Sequence, residues 1–290
     1  MKVMITGAEG QLGRSLRAAA PSDMDCLALT RTQLDITDRD AVVGVVSRLR
    51  PSCVINAAAY TAVDRAEEEP RNAFAVNCDG VAYLANAARA VGARLVHVST
   101  DYVFDGCGHR PYRPEDTPHP INVYGASKLA GEQRLIELLP DRNAILRTSW
   151  LYALPGNNFV ATMLRLFTEK PEVRVVCDQI GSPTAAVGLA EALWRLVALE
   201  LCGLFHWADA GVASWYDFAI AVHKEAATRG IVSYDTEIIP IPSTEFPTAA
   251  KRPSFSVLDI VGTVRKLGMQ PMHWQRRLNY VLGAACPTGS

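Results

Sequence analysis

The strand-forming run KVMIT (2–6) passes directly into Gly7-Ala8-Glu9-Gly10-Gln11-Leu12-Gly13, and a helical pattern starts inside that turn at Gln11. Few architectures use such a junction. Glycines there permit a tight reversal, a close approach of backbone to a bound group, and close packing of the helix on its strand. The first helical turn then offers unpaired N–H groups and the positive end of the backbone dipole, a setting suited to a pyrophosphate. Gly7, Gly10, Gln11, Leu12 and Gly13 are therefore candidate cofactor-binding residues. A tight turn without a ligand is the alternative, and the position directly behind an apolar strand argues against it.

Short apolar runs recur at 26–29, 53–56, 94–99 and 143–147, separated by helical patterns at 11–20, 38–50, 70–91 and 124–139. Asp38 is placed to cap the second helix, and Pro70 to stand in the first turn of the third. Short strands alternating with helices predict an α/β fold, a Rossmann-like doubly wound parallel sheet covered on both faces. After Trp150 the pattern loosens. Helices are expected at 158–168, 185–201, 214–229 (capped by Ser214) and about 271–282, with a strand at 204–207 and a proline-rich stretch at 240–253. We expect 1–150 to form an NAD(P)-binding domain that also receives part of 182–207. Residues 151–290 are expected to form mainly a smaller α/β substrate-binding domain.

The second strand ends in Leu29-Thr30-Arg31 without an acid. An acid at that tip binds a ribose 2′-OH, whereas an Arg favours a 2′-phosphate. Arg31 thus points to NADPH, with NADH as a second cofactor; a solvated surface arginine is the alternative. Ala57, Ala58 and Ala59 follow the third strand, where small side chains let a cofactor lie against backbone or let a helix pack closely.

Tyr124 and Lys128 stand one helical turn apart. Hydride addition to a carbonyl makes an alkoxide that needs a proton, and an ordinary phenol, with a pKa of ~10, is a weak donor. A neighbouring ammonium lowers that value, so Lys128 and the oxidised nicotinamide are expected to draw Tyr124 toward about 7. A hydroxyl at the end of the fourth strand can orient Tyr124 and hydrogen-bond the carbonyl; Thr100 is the first candidate and Ser99 the second.

Lys plus Arg number 29 against 30 Asp plus Glu in 290 residues, a balance that gives no basic surface for nucleic acid. No apolar run reaches 18 residues, and no basic segment precedes an apolar one at the start. We expect a cytoplasmic protein with no membrane partner. Cys26, Cys53, Cys78, Cys107, Cys177, Cys202 and Cys286 form no CxxC pair, so neither disulfides nor a zinc site are expected.

Nearly end to end, the chain resembles the dTDP-4-dehydrorhamnose reductase family of extended short-chain dehydrogenases. The resemblance rests on NAAAYTAVDRAE (56–67), VSTDYVFDG (98–106), NVYGASKLAGE (122–132), RTSWLYA (147–153), GNNF (156–159), DQIGSPT (178–184) and KRP (251–253). It implies that Tyr124 is the proton donor, Lys128 its electrostatic partner and a ribose ligand, and Thr100 the group that tunes Tyr124. It implies cofactor contacts at Gly10, Gln11, Leu12, Asp35, Ile36, Ala59, Tyr60 and Thr61. Substrate contacts are implied at Thr100, Asp101, Trp150 and Asn158, with Lys251 and Arg252 at the diphosphate. For Trp150 a core position is the alternative to a sugar wall, and for Lys251 and Arg252 a solvated basic pair. The implied reaction is NAD(P)H-dependent reduction of the C4 ketone of dTDP-4-dehydro-L-rhamnose.

Some family members hold Mg²⁺ at a dimer contact through an acid on the first helix. That helix here reads Arg14-Ser15, so we expect no metal, and a monomer or weak homodimer. Sugar-nucleotide dehydratases carry Thr-Asp-Glu where this chain has Thr100-Asp101-Tyr102, and epimerising reductases use a Cys and a His. Cys107 and His109 are read as a loop thiol and a surface imidazole. Two alternatives stay open: a reductase for another nucleotide-sugar ketone, and a non-catalytic NADP-binding regulatory subunit like that of methionine adenosyltransferase.

Overall fold

The computed structural model describes residues 1–233 and 235–285; Cys286 lies outside the described residues. The apolar runs of the first half become β1 (Lys2–Thr6), β2 (Asp25–Leu29), β3 (Cys53–Asn56), β4 (Arg94–Thr100) and β5 (Asn143–Thr148). The remaining strands are β6 (Leu151–Tyr152), β7 (Glu172–Val176), β8 (Ile180–Gly181), β9 (Thr184–Ala185), β10 (Gly203–His206), β11 (Ala213–Ser214) and β12 (Glu237–Ile241). Helices are α1 (Gln11–Ala18), α2 (Arg39–Leu49), α3 (Val63–Glu68), α4 (Pro70–Phe74), α5 (Gly80–Val91), α6 (Val123–Leu138), α7 (Phe159–Glu169), α8 (Ala186–Ala198), α9 (Trp215–Thr228), α10 (Val261–Leu267) and α11 (Trp274–Ala285).

A six-stranded parallel sheet in the order β10-β5-β4-β3-β1-β2 is the frame. All four residues of β3 and all six of β5 are buried, as a sheet covered on two faces demands. On one face Leu12 and Leu16 of α1 meet Leu189, Leu193 and Trp194 of α8, and the Trp194 indole donates to the Leu16 carbonyl at 2.9 Å. On the other, α2, α5 and α6 bury Val42, Leu84, Leu135 and their neighbours against Met4, Val54 and Leu95. From β1 the chain steps to β2 on one side and β3 on the other. Such a reversal opens a crevice at the strands' C-terminal ends.

The 70–91 segment is not the uninterrupted helix expected. Between α4 and α5 a π turn, Ala75–Asp79, inserts an extra residue and carries Asn77 to a buried position. Its amide bonds sideways: Oδ1 accepts from Tyr60 N at 2.9 Å, and Nδ2 donates to Tyr60 O and Ser127 Oγ at 3.0 Å each. Satisfied polar groups are what make the irregular turn tolerable.

In the second half, α7, α9 and α11 bury Met163, Phe167, Phe218, Val222, Trp274 and Leu278 in a separate apolar cluster. Ser214 and Asp217 form a reciprocal cap at the start of α9. Sequence patterning missed α3, α10 and the parallel β7–β12 pair. Strand β12 runs into the proline-rich stretch; Pro240 sits inside it opposite Val175, at a sheet edge where a missing N–H is tolerated. The six described cysteines are free.

Candidate active site

Gly7 adopts φ 71°, and a Cβ there would lie 2.7 Å from Ala58 N, so the turn hugs the β3 exit. A Cβ on Gly13 would stand 2.1 Å from Gly7 O; this glycine serves helix–strand packing and lines neither cavity of the crevice. Two cavities meet along the turn, sharing Gly10 and Ala57–Ala59. One, of about 240 Å³, is bordered by Gly7, Arg31, Asp35, Ile36 and Tyr60. The other, of about 400 Å³, is bordered by Gln11, Leu12, Thr61, Thr100, Asp101, Tyr124, Lys128, Trp150 and Asn158. Small residues along the shared wall, together with a helix N-terminus at the junction, fit a dinucleotide lying across both.

Arg31 is exposed and pairs with Asp35 at 3.2 Å, an exchangeable surface contact. Asp35 is held below the usual carboxylate range, first by the Thr37 backbone N–H at 2.9 Å. The Tyr60 hydroxyl donates to Glu69 at 2.9 Å. Gln11 ties α1 to the second half: its Oε1 accepts from Ala153 N at 3.0 Å and from Asn158 Nδ2 at 2.7 Å.

At the far end of the larger cavity, α6 and the end of β4 face each other. Asn122 caps α6 by accepting from Gly125 N at 2.7 Å. The Thr100 hydroxyl donates to Asp101 Oδ1 at 3.0 Å and accepts from Tyr102 N at 3.2 Å. Tyr102 stands edge-on to Tyr124 with ring centres 5.8 Å apart. Asp101 is buried, and burial pushes its carboxyl up to about 7.

Lys128 is not among the groups that set the Tyr124 phenol here. Burial pushes that phenol up to about 12, with Thr100 opposing the rise and Asp101 adding to it. Lys128 Nζ is turned to the Val98 carbonyl at 2.7 Å instead, and burial lowers the lysine to about 8 against the opposing pull of Glu132. Glu132 is itself taken up by Arg147 in a buried two-bonded pair at 2.9 and 2.7 Å.

Trp150 occupies the left-handed region at φ 46° and stacks on Trp215 with ring centres 3.5 Å apart. Both border the larger cavity. Sequence reasoning missed Trp215; the available signal was a large aromatic directly after the Ser214 cap. Trp215 and Phe159 also border a third, largely apolar cavity of about 340 Å³, with Arg252 at its edge. Arg252 grips Asp64 through two hydrogen bonds at 3.0 and 2.7 Å. Lys251 is exposed and lines none of the three cavities. The Arg14 guanidinium donates to Pro155 O at 2.7 Å, and no cluster of three or more His, Cys, Asp or Glu is gathered for a metal among the described residues.

The sequence pattern of the RmlD substrate binding domain matches residues 1–285. A dTDP-4-dehydrorhamnose reductase of Aggregatibacter actinomycetemcomitans is 42% identical over 97% of this chain and 98% of its own. A dTDP-4-keto-6-deoxy-D-glucose reductase of Streptomyces niveus is 42% identical over 95% and 94%. The crystal structure of dTDP-4-dehydrorhamnose reductase from Bacillus anthracis in complex with NADP superposes with a TM-score of 0.91 at 40% identity, covering 97% of this chain and 98% of that one. Near-complete coverage in pattern, sequence and fold means that this chain belongs to the RmlD family, that of the dTDP-4-dehydrorhamnose reductases.

Proposed function

We propose that the protein reduces the C4 ketone of dTDP-4-dehydro-L-rhamnose to the alcohol, yielding dTDP-L-rhamnose, with NADPH as cofactor and NADH as a second donor. One observation carries this: Thr100, Tyr124 and Lys128 border a cavity continuous, past Ala57–Ala59, with the glycine turn. The Bacillus anthracis relative bound to NADP supports the cofactor. Residues 1–150 with α8 and β10 form the cofactor domain in this reading, and the rest forms the substrate domain.

The bound reduced nicotinamide supplies a hydride to the ketone carbon. Tyr124 gives its phenol proton to the ketone oxygen. A phenol at about 12 still carries that proton at neutral pH, as reduction requires. Lys128 holds the ribose hydroxyls and stabilises the phenolate left behind, while Thr100 orients the carbonyl. Gly7, Gly10, Gln11 and Leu12 receive the pyrophosphate, and Arg31, Asp35, Ile36, Tyr60 and Thr61 border the rest of the cofactor. Asp101, Trp150 and Asn158 contact the sugar. Arg252, with Lys251 beside it, takes the diphosphate by exchanging Asp64 for phosphate oxygens. The third cavity then lies within reach of the nucleoside.

No described helix is long and apolar enough to cross a membrane. We place the protein in the cytoplasm as a monomer or weak homodimer. No Mg²⁺ role is assigned, because Arg14 stands where an acid would be needed.

Purified protein given NADPH and the ketone made in situ is expected to consume the reduced cofactor. Tyr124→Phe is expected to keep cofactor binding and lose about 10²–10⁴ in turnover. Tight cofactor binding without turnover by the wild type would favour the regulatory-subunit reading. Undiminished turnover in the variant would assign the proton to another group. The Streptomyces niveus relative favours a second reading, a different 4-keto-6-deoxy sugar, which side-by-side kcat/KM values distinguish.

A further inference from the structure

Across three neighbouring strands runs a row of polar side chains inside an apolar sheet. Thr6 of β1 is in register with Asn56 of β3, and Asn56 with His97 of β4. All three are buried, and the residues two positions earlier on the same face are Met4, Val54 and Leu95. A polar row at such a place needs full hydrogen bonding to be tolerated.

Its bonds have a fixed direction. The Ala58 backbone N–H can only donate, and it meets Asn56 Oδ1 at 3.2 Å; the Thr6 hydroxyl donates to the same oxygen at 2.6 Å. The Asn56 NH₂ is thereby turned to His97 Nδ1, 3.1 Å away. An amide NH₂ cannot accept, so Nδ1 is the bare nitrogen, and a neutral ring carries its proton on Nε2. Nε2 lies 3.4 Å from Lys128 Nζ. An N–H aimed at an ammonium opposes its charge, whereas the same N–H can donate to a neutral amine.

We propose that His97 is a positioning residue for Lys128. Locked by Asn56 as the neutral Nε2–H tautomer, it steers the lysine amine onto the Val98 carbonyl and favours its uncharged form, setting the alkaline edge of the reaction. This rests on the role given to Lys128 above. His97 from β4 and Glu132 from the lysine's own helix act on Lys128, with Glu132 occupied by Arg147 of β5, and Tyr124 borders the same cavity one helical turn earlier. Burial and the Lys128 charge both hold the His97 imidazole well below its usual value, in keeping with a neutral ring.

Two substitutions separate the ring's two nitrogens. His97→Asn places an acceptor near Nδ1, satisfies Asn56 and removes the group at Lys128. The alkaline limb of kcat is expected to move up by about one unit, in a chain that still binds NADPH. His97→Gln puts an N–H near Nε2 and is expected to keep the wild-type limb. Coincident limbs in wild type and H97N, or an H97Q that behaves as H97N does, overturn the proposal. Nitrogen-15 spectra of histidine-labelled wild type, taken across the neutral and alkaline range, need neither turnover nor a folded variant. They are expected to show a bare Nδ1 and a protonated Nε2 at His97; the opposite tautomer or a charged ring overturns it. Normal spectra in a protein inactive on the ketone would leave this row intact and remove the substrate assignment alone.

Discussion

Tyr124 and Asp101 border one cavity, and both bind protons more tightly than their free counterparts because water is kept from them. For Asp101 this has a consequence for stability. The folded chain keeps the carboxyl neutral up to about 7, while an unfolded Asp ionises near ~4. The group's contribution is therefore full below the unfolded value and is lost as pH rises through the folded one. Asp101→Asn, which cannot ionise, should raise the melting temperature relative to wild type more at about pH 8 than at about pH 5. Equal gains at the two pH values would mean that Asp101 is ionised throughout. Tyr124 and Lys128 were legible because one helical turn separates them. His97 and Trp215 were not, since each acquires its meaning from a neighbour far along the chain: Lys128, 31 residues on from His97, in the first case, and Trp150 in the second.

Among the elements, the π turn at Ala75–Asp79 couples two sides of the site. Asn77 joins Tyr60, on the loop after β3, to Ser127, the residue before Lys128. Asn77→Ala leaves buried polar partners unmet and should cost about 1–3 kcal/mol in denaturant unfolding. A loss of turnover should accompany it; unchanged stability would mean that the side chain is dispensable to the turn. An asparagine in an Ala-rich helix was the available hint, being a poor helix former. The central strands β1, β3, β4 and β5 were readable because burial on both faces favours short apolar runs, and the edge strand β2 because it keeps one. Strand β7 (Glu172–Val176) alternates exposed and buried residues for part of its length, and β12 holds a proline, so neither resembled them. Helix α3 went unseen because Pro70 drew the helix start to itself.

At the scale of the molecule, Gln11 is the hinge-pin between the glycine turn and the second half of the chain. It holds Ala153 and Asn158 while bordering the larger cavity. Gln11→Ala should raise KM for both cofactor and sugar nucleotide severalfold, with a smaller effect on kcat, since binding surface is misplaced and the proton path is not. Steady-state kinetics decide this, and a drop in kcat with KM unchanged would contradict it. Strand β10 and helix α8 come from the later half of the sequence yet complete the first sheet and cover α1. A truncation at residue 150 would therefore strip β5 of a neighbour and bare Leu12 and Leu16, and a chimera spliced there would pair them with another parent's strand and helix. Recombination that exchanges the sugar-recognising parts of two relatives must leave 186–206 with the amino-terminal parent.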